Sequence, residues 1–164
     1  MRYLVIIITL STLIATRASL AGDVLNIPIR VPIAEGVHVP NAVLVECEVE
    51  RRLAKSLASE AKGPYKKVIM KPIVSAETAG HALDIKITAM LASGGGRYSG
   101  PKSLTAEGTL YAEGKVIGTF IARRHTNRGK HTCRMLHRNA EEIAEDIGEW
   151  LERPVMDARL GDAG

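Results

Sequence analysis

Residues 103–123 read SLTAEGTLYAEGKVIGTFIAR. Two alternating arms, Ser103 to Ala112 and Lys115 to Arg123, flank the pair Glu113-Gly114. A period of two is the mark of a strand with one wet and one dry face. Asn-Gly and Asp-Gly are stronger turn pairs, but Glu-Gly between alternating arms still reads as a hairpin. The stretch therefore predicts an antiparallel pair, and the rest of the chain is read around it.

Upstream, Ala82 to Leu91 alternates again. Leu83, Ile85, Ile87 and Ala89 fall on one side, with Asp84, Lys86 and Thr88 on the other. Lys67 to Pro72 is a short strand candidate. Val24 to Ile33 also alternates, but Pro28 and Pro32 cannot donate to a ladder, so it reads as an edge strand or an irregular arm. Asn41 is placed to cap a helix running to Lys62, where Gly63-Pro64 stops it. Its apolar stripe is Val43, Cys47, Leu53, Ala54, Leu57 and Ala61. Glu46 and Glu50 fall near that stripe, which suggests a late start or a rim position.

Downstream, Asn127 to Lys130 is polar loop. Thr132 is placed to cap a helix to Glu152, ended by Pro154. Its stripe is Met135, Leu136, Ala140, Ile143, Ile147, Trp150 and Leu151. The order predicts an α+β fold: an antiparallel sheet of four to five strands with two helices packed on one face. Residues 22–154 form the expected domain, and residues 155–164 a flexible tail.

The N-terminus has a different character. Arg2 precedes an almost wholly apolar run from Tyr3 to Ile14, and Ser19-Leu20-Ala21 follows. Residues 1–21 read as a signal peptide with cleavage before Gly22. The apolar run is too short for a membrane span, which needs roughly 20 residues. No transmembrane segment is expected after cleavage, and a periplasmic or secreted location is. The chain carries a formal charge of +4; without Arg2 and Arg17 it has 20 basic against 18 acidic residues. That near-neutral balance gives no footprint for nucleic acid. One Trp, one Phe and four Tyr make neither a base-stacking surface nor an aromatic sugar platform.

Two cysteines, Cys47 and Cys133, lie in the exported part. In an oxidising compartment an even count suggests a disulfide; two free buried thiols are the alternative. The sharpest charged feature is the basic run from Arg123 to Arg138. Arg123, Arg124, Arg128 and Arg134 are its candidate contact residues for an anionic envelope component or an envelope protein. Arg97 and Tyr98, in the glycine-rich loop Ser93 to Pro101, are a second candidate contact. That loop matches no nucleotide-binding pattern. His125, His131 and His137, with Cys133, form a weaker metal-binding alternative. A disulfide would remove Cys133 from it. No G-x-S-x-G, H-E-x-x-H or C-x-x-C pattern is present, so no enzyme and no cofactor are expected.

Two stretches carry a resemblance: GGGRYSGPKSLTAEGTLYAEGKVIGTFIARRHT, from Gly94, and HTCRMLHRNAEEIAEDIGEWLERP, from His131. Together with VPNAVLVECEVERRL, from Val39, they resemble a group of bacterial exported proteins. In that group a Gly-Gly-Gly-x-aromatic-Ser-Gly-Pro-Lys-Ser loop enters a hairpin, and Thr-Cys opens a C-terminal helix. The chain is also loosely similar to small envelope lipoprotein domains, though it lacks their N-terminal cysteine. The resemblance implies a bacterial periplasmic location and favours pairing of Cys47 with Cys133. It implies no activity. The expected function is a non-enzymatic binding or envelope-accessory role.

Overall fold

The computed structural model describes residues 24–92, 100–127 and 129–164. Its elements are β1 (Val24–Pro28), α1 (Asn41–Cys47), α2 (Val49–Glu60), β2 (Lys67–Lys71), β3 (His81–Leu91), β4 (Lys102–Ala112), β5 (Lys115–Thr126), α3 (Thr132–Glu152) and β6 (Ala158–Gly161). They form one six-stranded sheet in the order β2-β1-β3-β4-β5-β6, with the helices against one face. The fold is α+β, as expected. The sheet is not the expected antiparallel one of four to five strands. It is mixed: β1 pairs in parallel with both β2 and β3, and β6 in parallel with β5.

The β4–β5 hairpin is where the sequence placed it, closed by Glu113 at φ 49° and Gly114 at φ 76°. Two consecutive positive φ values match the right-handed twist of the flanking strands, and glycine takes the second at no steric cost. Leu104, Ala106, Leu110, Phe120 and Ala122 from this pair are buried beneath the helices. Lys102 opens β4 fully buried, its ammonium donating to the carbonyls of Gly100 (3.1 Å) and Pro101 (3.4 Å). Burial pushes that ammonium's pKa down.

Four local expectations change, each for a physical reason. A register shift between Ile87 and Ala89 reverses the phase of β3. Ala89 is therefore exposed and Met90 buried, because a bulge moves every later side chain to the other face. The Val24 segment is an inner strand, not an edge. Pro28 ends it, and the ladder beside β3 resumes further on, where Pro32 accepts from the Ile87 amide and Ala34 donates back. The single helix expected over 41–62 is two: Glu48, at φ 42°, breaks it. The break lets Glu46 face solvent and turns Val49, Leu53 and Leu57 onto the core. Neither Asn41 nor Thr132 caps its helix. Pro40 and His131 hold those positions, and both residues are the first of their helices.

The stripe expected on α3 is buried throughout. It packs against α2, closely enough at Gly148 that a Cβ there would lie 2.8 Å from the Glu60 Cβ. The stretch 155–164, expected as a flexible tail, supplies β6 instead. Asp162 ties its end to β5: its amide donates to the Arg123 carbonyl (2.8 Å) and its carboxylate accepts from the His125 amide (3.0 Å).

Tyr65 is buried, 2 % exposed, with its hydroxyl 3.0 Å from His81 Nδ1. Burial pushes the phenol's pKa up from 10.0 to about 12. A raised folded-state value means stability that is complete below the unfolded pKa and lost as pH rises through the folded one. The loss falls between pH 10 and about 12 and totals roughly 3 kcal/mol, since each tenfold change in proton affinity is worth about 1.4 kcal/mol. Urea midpoints of wild type and Tyr65→Phe at pH 9 and pH 11.5 check it. The wild type should lose clearly more than the variant; parallel losses would remove Tyr65 as the cause.

Candidate functional site

The basic run does not form one ridge. Successive side chains of a strand point to opposite faces, so Arg123 and Arg124 separate. Arg124 turns to the helix side and makes a forked ion pair with Asp146 of α3: Nε to Oδ2 at 2.8 Å and Nη2 to Oδ1 at 2.5 Å. The hydrogen bonds to Asp146 hold its guanidinium proton more firmly than usual. Gly161 covers this pair; a Cβ there would come within 2.6 Å of both the Arg123 carbonyl and Arg124 Nε. Arg123 is exposed on the other face, and Arg134 is exposed on the first turn of α3. Arg97, Tyr98 and Arg128 lie outside the described residues, as does the expected signal peptide.

Cys47 and Cys133 are joined by a disulfide, with their Cα atoms 4.9 Å apart. It ties the α1–α2 junction to the first turn of α3. Cys47 ends α1 rather than lying early in a longer helix, so the staple sits at the break. Cys133 is thereby withdrawn from the metal alternative. The histidines also diverge. His137 Nε2 donates to the Cys47 carbonyl at 2.6 Å, His125 Nδ1 lies 2.6 Å from Asp162 Oδ2, and His131 is exposed at the start of α3. Among the described residues, no group of three or more His, Cys, Asp or Glu side chains could hold a metal ion. Burial alone would raise the Asp162 carboxyl's pKa. The His125 amide and ring outweigh it and hold that carboxyl below its usual value.

The feature the sequence did not single out is the sheet face away from the helices. A groove of about 470 Å³ crosses four strands there, lined by side chains from β3, β4, β5 and the β6 segment. Its residues stand in two rungs set by strand register. In the first, Asp84 is opposite Thr109 and Thr109 opposite Thr119. Asp157 completes it: the Thr119 hydroxyl donates to its carboxylate (3.2 Å) and accepts from its amide (2.7 Å). In the second, Lys86 is opposite Glu107, Glu107 opposite Ile121, and Ile121 opposite Arg159. The first rung thus ends in two carboxylates and the second in two cations. Asp84, Lys86 and Glu107 have no ion-pair partner among the described residues. Alternation had put Asp84 and Lys86 on the wet face of β3. Their neighbours along the rungs come from strands far away in the chain, and only register reveals them.

No protein-family model and no curated protein matches the chain. Among solved structures it is similar to a PelC dodecamer subunit from Paraburkholderia phytofirmans, at 13 % identity over 76 % of this chain and 88 % of that one, with a TM-score of 0.48. It is also similar to a neuraminyllactose-binding hemagglutinin homolog from Helicobacter pylori, at 14 % identity over 82 % and 85 % of the two chains, with a TM-score of 0.46. Likenesses this distant define neither a family nor a function. Among the described residues, no helix is long and apolar enough to cross a membrane.

Proposed function

We propose that this protein is a non-enzymatic binding domain of an extracytoplasmic compartment, and that it contacts its partner through the uncovered sheet face. The observation that supports it is the groove: charged side chains, several without ion-pair partners among the described residues, held on four hydrogen-bonded strands. A rigid platform lowers the entropy lost on binding. Charges of both signs, Asp84, Glu107 and Asp157 beside Lys86 and Arg159, suit a polypeptide better than a bare polyanion. The Cys47–Cys133 bond supports the compartment, since such bridges persist where the surroundings oxidise. The expected signal peptide over 1–21 belongs to the same reading.

A photo-reactive amino acid at Thr109 tests the surface in living cells, with Lys55 on the exposed side of α2 as control. A protein adduct should form at Thr109 and not at Lys55. Combined Lys86→Glu and Arg159→Glu should reduce it several-fold. Equal labelling at both positions, or none at Thr109, would reject the reading.

A further inference from the structure

The two rungs are complementary to each other, which bears on what the uncovered face meets. Two copies of a sheet packed face to face are related by a two-fold axis lying in the plane between them. Let that axis run along the rungs, midway between the first and the second. The first rung of one copy then faces the second rung of the other, strand over strand. Asp84 meets Lys86 of the second copy, and Asp157 meets Arg159. Thr109 offers a hydroxyl to Glu107, and the Thr119 methyl lies over Ile121. The symmetry repeats each contact, so all four cations meet carboxylates.

We propose that the partner bound by this face is a second copy of the same chain. The proposal rests on the reading of the open face as the contact surface and names its occupant. Three observations favour a second copy over an unrelated polypeptide. At both ends of the rungs the carboxylate of one is matched by the cation of the other rung of the same chain, and at the β4 position a hydroxyl faces a carboxylate. Both ends of each rung are charged, as at the polar rim of a contact patch, while Thr109, Thr119 and the 37 % exposed Ile121 lie further in, with Glu107 the one interior charge. Asp84 and Lys86 have no ion pair within their own chain among the described residues, so pairing across the axis breaks none. Stacked sheets lie roughly 10 Å apart, a gap that facing lysine and aspartate side chains span. The charged rim also makes the contact sensitive to salt, because exposed pairs are screened within about 8 Å at physiological ionic strength.

Sedimentation equilibrium on the purified, oxidised chain tests the proposal with two single variants. In Lys86→Glu, Asp84 of each copy faces a carboxylate; in Asp84→Lys, Lys86 of each copy faces a cation. Each variant alone should dissociate at least about tenfold more readily than the wild type. Mixed in equal amounts, the two should associate with each other as the wild type does with itself, because every facing pair is again of opposite sign. Both positions are exposed on the polar face, so each variant should keep the wild-type circular dichroism spectrum, which is the control for folding. A wild-type chain that stays monomeric at every accessible concentration overturns the proposal, as does a mixture that fails to recover. The reading of the face itself fares separately. A Thr109 adduct with a different protein would keep the face and replace its occupant.

Discussion

Replacement of both Cys47 and Cys133 by serine is expected to lower stability by about 4 kcal/mol. The bridge spans 86 positions, and a loop of that length constrains the unfolded chain strongly. The native side adds a local effect. Cys47 is the only buried residue of α1, and Glu48 in a left-handed conformation separates that helix from α2. Without the bond, α1 loses its main tie, whereas α2 and α3 keep their own contacts, Gly148 against Glu60 and the Arg52–Glu141 ion pair. Urea unfolding of the double variant, and of the wild type under reductant, should agree on the loss. The melting temperature should fall by about 10 °C. Amide exchange should rise over 41–47 and stay low over α3. A loss below about 1 kcal/mol would contradict this account.

Trp150→Ala is expected to cost about 3–5 kcal/mol, the range for removing a large aromatic from a core. Trp150 is 6 % exposed and meets Phe120 edge to face, with ring centroids 4.9 Å apart. Gly118 makes the room: a Cβ there would lie 2.6 Å from the indole ring. The indole N–H donates to the Val155 carbonyl at 3.3 Å, so the same side chain steadies the turn into β6. The alanine variant therefore loses packing between α3 and β5 and a support of the last strand together. Denaturant unfolding measures the first loss. Faster exchange of the Ala158 to Asp162 amides measures the second. Trp150→Phe keeps a ring but no N–H. Its stability should fall between wild type and the alanine variant, and its β6 exchange should match the alanine variant.

The elements most legible in the sequence are those whose signal is local. The β4–β5 hairpin needs only its alternation and the Glu113-Gly114 turn, and α3 only its stripe and the proline beyond it. Where the expectations changed, the cause lay outside the segment or was a single backbone angle. Alternation in β3 could not show the shift at Ile87, because the bulge exists only against β4. The helix over 41–62 has helical periodicity on both sides of Glu48, and one left-handed residue divides it. The Gly- and Asp-containing tail was expected to be flexible, yet Asp162 and Gly161 dock it on Arg123, Arg124 and Asp146.

The candidate site shows the same division. Arg123 and Arg124 are neighbours in sequence and read as one patch, but strand geometry places them on opposite faces and gives Arg124 to Asp146. Asp84 and Lys86 were placed correctly on the wet side of β3. Nothing in the chain order set Glu107, Ile121 and Arg159 beside them.

The sequence by itself determined the α+β class, the central hairpin, the long C-terminal helix and which faces of these elements turn inward. These follow from periodicity and turn chemistry, which act over a few residues. The tertiary structure alone decided that the sheet is mixed and six-stranded, with β1 inside it and β6 at its edge. The bond expected between Cys47 and Cys133 is present, but only the tertiary structure set it at the α1–α2 break and lined up two oppositely charged rungs across four strands. Those features depend on register and on contacts between distant segments, which no local pattern encodes.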